Sequence, residues 1–345
     1  MPPPAVNPPL AQPAPYLPPP EEPVYPPQVF RWGSPSPGLS LVPGSDHPRW
    51  DVSVDALWLE RDAGTSIPLG FTSYNYGSHA MQAIGTDSLW SDDVYFPLAA
   101  GLRLQVICRT SDETAIEVTG WGLQQWSVGR SIYGDPLGES VLAHSPWLAM
   151  SSLIGGFDNE LGYTYNSQVA NVEINQRRKL YSFDPYRAFS WLWGFRYFSL
   201  TDDFGLSGSD LYTGNYESLD WRTSNNLIGM QIGLQWAWGW DRFQLSTEVK
   251  GGLFANAYSQ HGIDSGSPLA GFQPFDISHG GTDLAGLIEL SLTARYRIAP
   301  NVWVRGGYQF YGLSGLALGP RQLGGYDDSG SVGLDGLSVG MEWTH

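Results

Sequence analysis

The sequence has a single cysteine, few cations and no long apolar run, and each shortage excludes something. Cys108 is the one cysteine in 345 residues, so no intramolecular disulfide framework exists. Its absence says little about redox compartment, because paired strands need no covalent staples. Eighteen Lys and Arg against 34 Asp and Glu give a formal charge of −16. That disfavours nucleic acid as a partner, since the phosphate backbone is bound through clustered Lys and Arg. No stretch approaches the ~18–20 apolar residues of a membrane helix. The histidines His47, His79, His144, His261, His279 and His345 form no H-x-x-x-H or H-E-x-x-H pair. The acidic stretches lack the D-x-D-x-D-G spacing of a calcium loop. No G-x-S-x-G elbow adjoins Ser278-His279-Gly280 and Asp283 in the sequence, so His279 reads as a loop histidine. Neither a catalytic residue nor a metal or cofactor is expected. The chain opens Met-Pro-Pro-Pro, without the basic and apolar regions of a visible export signal.

What is present is strand-like. Charged residues make up only 15 % of the chain and aromatics 14 %, with 42 glycines and 15 tryptophans. The clearest stretch is 225–254. On its first arm Ile228, Met230, Ile232, Leu234, Trp236 and Trp238 share one parity, and Gly229, Gln231, Gly233 and Gln235 the other. Period 2 is the spacing of a strand with two unlike faces. After Gly239-Trp240-Asp241, Phe243, Leu245, Val249 and Leu253 alternate with Arg242, Gln244, Ser246, Glu248 and Lys250. Two such arms across a short Gly-containing turn predict a β-hairpin. Each arm is about the ~9–11 residues that a tilted strand needs to cross hydrocarbon. Trp236, Trp238 and Trp240 cluster where such a strand would leave the lipid.

Residues 1–45 are proline-dense and predict a disordered, extended spacer. Residues 46–345 hold the remaining strand candidates, at 50–60, 102–109, 116–126, 170–179, 189–197, 284–297, 302–310 and 337–343. Residues 127–158 lack a clean period and read as a loop with room for one helical turn, 201–221 as an acidic exposed loop with room for short strands, and 262–281 as a long loop rich in Gly, Ser and Pro. The expectation is an all-β, antiparallel, up-and-down transmembrane β-barrel of about 12 strands, since only a closed barrel satisfies a strand backbone in lipid.

Charge placement chooses the faces. In 282–297, pointing the odd positions at lipid would bury Glu289 and Arg295 in hydrocarbon, at about 2–4 kcal/mol for a mid-membrane Arg. The even positions therefore face the apolar medium. The lumen would then be lined by Arg196, Arg242, Glu248, Lys250, Asp283, Glu289, Arg295, Arg297 and Arg305. Mixed signs favour a salt-bridge lattice over a single-sign selectivity surface. This wall is slightly basic, so the acidic total is expected in loops and turns and any pore should be weakly selective.

Several segments resemble the beta-barrel porin-7 family of outer-membrane proteins: Gly194-Phe195-Arg196-Tyr197-Phe198-Ser199-Leu200, Asn226-Leu227-Ile228-Gly229-Met230-Gln231-Ile232-Gly233, Lys250-Gly251-Gly252-Leu253, Asp55-Ala56-Leu57-Trp58-Leu59-Glu60-Arg61 and Gly307-Tyr308-Gln309-Phe310-Tyr311. The resemblance implies an outer-membrane barrel of a Gram-negative-type bacterium, and no substrate. The chain departs from such barrels in ending Trp343-Thr344-His345 instead of on a terminal aromatic. The expected role is a passive, porin-like channel for small solutes or a structural barrel, with outer-membrane lipid as its surroundings. Two alternatives stand beside it: a surface adhesion or scaffold barrel with acidic binding loops and a plugged lumen, and a secreted soluble β-sandwich that binds carbohydrate.

Overall fold

A computed structural model describes residues 49–345, apart from 65, 76–81, 112, 135–138, 144–159, 185–186, 210–213, 215, 241 and 267–273. The proline-rich extension expected at 1–45 lies outside the described residues. Thirteen strands follow: β1 (Arg49–Arg61), β2 (Pro68–Asn75), β3 (Gln82–Trp90), β4 (Phe96–Arg109), β5 (Thr114–Tyr133), β6 (Glu139–Ala143), β7 (Glu160–Asp184), β8 (Arg187–Ser209), β9 (Tyr216–Gly239), β10 (Phe243–Gly266), β11 (Asp276–Ala299), β12 (Val302–Leu316) and β13 (Gly330–Thr344).

The closed barrel has the order β1-β13-β12-β11-β10-β9-β8-β7-β5-β4, and every neighbouring pair is antiparallel. This corrects the expected strand count from about 12 to ten. The remaining strands, β2, β3 and β6, form a separate three-stranded sheet, inserted after β1 and β5 at one end of the barrel. At the other end the turns are tight: β4 ends at Arg109 and β5 begins at Thr114, Asp184 pairs with Arg187, and Ala299 with Val302. Both the first and last barrel strands begin or finish at this tight-turn end, where Asp51 pairs with Thr344.

Outside, an apolar belt girdles the lower half. Ile228, Met230, Ile232 and Leu234 of β9, Leu253 of β10, Leu284, Ile288 and Leu290 of β11, and Leu337 and Val339 of β13 are all exposed. On β1 the belt runs from Trp50 to Trp58, about 26 Å along the strand at ~3.3 Å per residue. Three tyrosines mark its upper edge. Tyr197 donates to Asn226 at 2.7 Å, Tyr308 to Asp335 at 2.7 Å, and Tyr95 to Glu60, each reaching from an exposed ring to a polar partner. Such amphipathic rings suit a lipid–water boundary.

Above that line the strands continue and their chemistry inverts. On β9 the outward residues become Ser218, Asp220, Arg222 and Ser224, while Leu219, Trp221 and Leu227 are buried inside. On β8 the switch falls between Tyr197, exposed outside, and Phe198, buried inside. The parity of the strand is unchanged; only the apolar parity has moved, because the outside is now polar solvent and the inside a packed core. Residues 201–209, 216–221 and 276–281, expected as loops, are therefore strand, as are 127–133 of β5.

Candidate functional site

The lumen is the natural candidate for function in a barrel, and here it is filled at two levels. The lower level is ionic. Successive inward positions on each strand carry polar side chains, and those of opposite strands meet across the interior. Arg196 on β8 donates to Glu173 on β7 at 2.7 Å and to Glu289 on β11. Lys250 on β10 donates to Glu173 at 2.9 Å and Glu289 at 3.3 Å, and lies 3.1 Å from Glu248. Arg177 on β7 bridges Glu117 at 2.7 Å and Glu248 at 2.6 Å. Gln231 on β9 adds bonds to Glu173 at 2.5 Å and Asn175 at 2.7 Å.

A second ionic group fills the opposite wall. Arg103 donates to Asp55 at 2.7 Å, and Arg305 to Ser53 at 2.7 Å and Gln105 at 3.1 Å. Gln105 donates in turn to Glu117 at 2.8 Å, which joins the two groups. Burial of ions is costly unless each is paired and further hydrogen-bonded. Every ion named here has an opposite charge or hydrogen-bond partner, while Arg196 Nε and Nη1 and Arg177 Nη1 are buried without a hydrogen bond. Arg196 is 2 % exposed, Glu173 3 %, Lys250 3 % and Glu117 1 %. A water-filled pore would leave such side chains accessible.

The upper level is apolar. Leu57, Leu59, Phe96, Trp121, Tyr165, Phe198, Leu200, Phe204, Leu227 and Phe254 belong to one buried cluster. Arg61 crosses it, with its guanidinium 4.8 Å from the Tyr165 ring centre and 5.1 Å from that of Phe96. It donates to Tyr165 at 2.8 Å and to Asp202 at 3.1 Å, and Tyr165 donates to Asp202 at 2.7 Å.

The β12–β13 connection closes the top. Gly315, at φ 77°, turns the chain inward in a conformation that favours glycine. Asn225 donates to the Ala317 carbonyl and accepts from the Ala317 amide, both at 2.8 Å, and Asn256 donates to the Gly315 carbonyl at 2.9 Å. Gly319 packs so near Phe204 that an added Cβ would come within 2.6 Å of its Cβ. A short 3-10 turn, Pro320–Gly324, follows, with Pro320, Gln322 and Leu323 buried.

Of the lumen residues expected from sequence, Arg196, Glu248, Lys250, Glu289 and Arg305 are buried inside and joined in this mesh. Arg295 is half-buried nearer the tight turns and is held by both oxygens of Glu342, at 2.7 and 2.9 Å. Arg297 lies at that rim, 5.5 Å from the Trp303 ring centre. Arg242 is exposed at a turn, and Asp283 is exposed above the belt, where it accepts from the Leu284 amide at 2.7 Å. The structure does not bring these two into the mesh.

Sequence reasoning missed Asp55, Arg103, Glu117, Glu173 and Arg177, although the alternation at 116–119 and 170–175 carried the signal. With them, the mesh holds five cations, Arg103, Arg177, Arg196, Lys250 and Arg305, against five carboxylates, Asp55, Glu117, Glu173, Glu248 and Glu289, and is balanced in sign. Ser278 and His279 fall on opposite faces of β11, and His279 stacks on Tyr326 at 4.4 Å. Cys108 is half-buried and free.

No protein-family model matches the chain, and no curated protein matches it either. Among solved structures, it is similar to the outer membrane protease OmpT of Escherichia coli at 12 % identity and a TM-score of 0.46, over 87 % of this chain and 98 % of that one. A FadL homologue of Pseudomonas aeruginosa matches at 12 % identity and 0.25, covering 87 % and 90 %. The attachment invasion locus protein Ail of Yersinia pestis matches at 7 % identity and 0.24, covering 86 % and 99 %. At these scores the likenesses carry nothing about activity.

Proposed function

We propose that this protein is an outer-membrane β-barrel with a closed lumen, a structural platform that presents a long-walled acidic face outside the cell. The observation that carries this reading is the cross-lumen mesh of Glu173, Arg196, Lys250 and Glu289, buried from solvent in the middle of the barrel. An exposed apolar belt of bilayer height supports the membrane setting. Tight turns at one end and long connections at the other support the usual orientation, with the tight turns periplasmic.

The passive porin-like reading requires a continuous aqueous path, and both levels of the interior oppose it. The scaffold reading needs only the outer surface. Planar-bilayer recording of the detergent-folded protein tests the choice. No unitary current steps are expected; regular steps from a preparation of the folded protein would overturn the closed lumen. Gel mobility, boiled against unboiled, tests the barrel itself, and a heat-dependent shift is expected.

A further inference from the structure

Above the belt the barrel wall is not closed by pairing. The β11–β12 ladder begins at Gly286↔Ser314, whereas β11 pairs with β10 from Asp276 onward. Residues 276–285 are thus a strand with one neighbour. Both ends of β11 show which backbone groups face outward from that pair. The Phe275 carbonyl accepts from Asp264 of β10, and the Arg297 amide donates to Arg242. Odd positions therefore bond to β10, and the N–H and C=O of Ser278, Gly280 and Thr282 point to the open edge. Among the described residues no strand pairs with that edge. Leu284, also even, has its amide taken by the Asp283 carboxylate, which ends the open run. Residues 278–284 are all exposed.

By sequence, the acidic excess lies in the stretches at the end opposite the tight turns, and Asp276 and Asp283 lie on β11 itself. The stretches 60–95, 123–169, 199–227, 255–286 and 311–336, which make up the long-loop end, hold 20 of the 34 acidic residues and four of the 18 basic ones. That end alone accounts for the whole −16, and its 255–286 stretch contains no Lys or Arg.

We propose that the open edge of β11 is a docking site for an extended cationic peptide, which adds as a further strand beside residues 276–284. The backbone groups supply the affinity common to strand addition, and the acidic end selects a Lys- or Arg-rich partner and speeds its approach. A second copy of this chain does not fit. The two-fold of an antiparallel pair runs normal to the sheet, so it would lie in the bilayer plane and invert one barrel. Parallel pairing requires a one-residue stagger, which a two-fold along the strand forbids. The start of β1, Arg49, lies at the opposite, tight-turn end, beside Arg109. This inference rests on the membrane orientation above.

The test uses the full-length protein folded in detergent, with its barrel first verified by heat-dependent mobility; failure there would sink the barrel reading and not this one. The probe is a labelled nine-residue peptide alternating Lys with Thr and Val, compared by fluorescence anisotropy with the same peptide N-methylated at every amide. The unmethylated peptide should bind about tenfold or more tightly, and should slow amide exchange at Ser278, Gly280 and Thr282. Thr282→Pro, which removes an edge-facing donor where proline is tolerated, should abolish that difference. Equal binding of the two peptides, no binding, or unchanged exchange at those amides would each overturn the proposal. If the proline variant fails to fold, the exchange readout on the unmodified protein decides alone.

Discussion

The lower and upper halves of the barrel run along the same strands and close the same lumen, but with opposite materials. Below the tyrosine line the outside is apolar and the inside ionic; above it the outside is polar and the inside apolar and aromatic. The difference follows from the medium beyond the wall. Where the outer face spends its apolar residues on the surrounding belt, alternation leaves the inner face polar, and ten strands enclose too little space for those groups to be solvated. They must then neutralise one another. Where the outer face meets water, the inner face is free to be an ordinary hydrophobic core.

The sharpest way to break the lower half is Glu173→Ala, which leaves Arg196 and Lys250 short of a shared carboxylate. A loss of about 3–5 kcal/mol is expected, as for one partner removed from a buried ion pair, read as a shift in the urea midpoint of the heat-sensitive folded band. The matching change in the upper half is Leu200→Ala, in a fully buried cluster. It should cost about 3 kcal/mol through lost burial and the residual cavity, and the same urea titration checks it. The outer face separates the halves further. Ile232→Arg places a cation in the belt and should cost about 2–4 kcal/mol, while Ser218→Arg, on the same face of the same strand above the belt, should stay within about 0.5 kcal/mol. Similar losses at both positions in lipid-vesicle unfolding would mean that the belt does not end at the tyrosines.

The smallest effect is local to the upper rim. Burial, and then the neighbouring Glu217, raises the Asp264 carboxyl from 3.8 to about 7. The folded state holds this proton more tightly than the unfolded chain does. The contribution is therefore fully present below about pH 4 and is lost as pH rises through about 7. Amide exchange at the end of β10, corrected for intrinsic rate, should accelerate across that window, and Asp264→Asn should flatten the dependence.

The lower half was legible because its alternation is written in strongly contrasting residues. Ile228, Met230, Ile232 and Leu234 against Gln231 and Gln235 leave one reading, and the even-out choice at Leu284 to Tyr296 agrees with their exposure. The upper half was obscured by the reversal at Leu227 and Ile228, two adjacent apolar residues on opposite faces. A period-2 pattern whose phase slips resembles a strand that stops, so β8 and β9 were cut short and Arg61 and Asp202 were not considered together. The ten candidates read from alternation, counting the two arms of 225–254, are the ten strands of the ring, so the expected 12 exceeded them without any further segment to supply the difference. Strands β2, β3 and β6 carried too weak an alternation to be read as strands.

By itself the sequence determined that the chain is all-β, that its lower strands turn their aliphatic parity outward, and that acidic residues gather in the long segments, since each follows from local alternation and charge order. Only the tertiary structure decided that ten strands close the ring, that Glu173 meets Arg196 and Lys250, that residues 317–323 fold into the mouth, and that β11 keeps an open edge. Those outcomes depend on register and on contacts between residues far apart in the chain, and a period-2 pattern repeats identically for every register two residues apart.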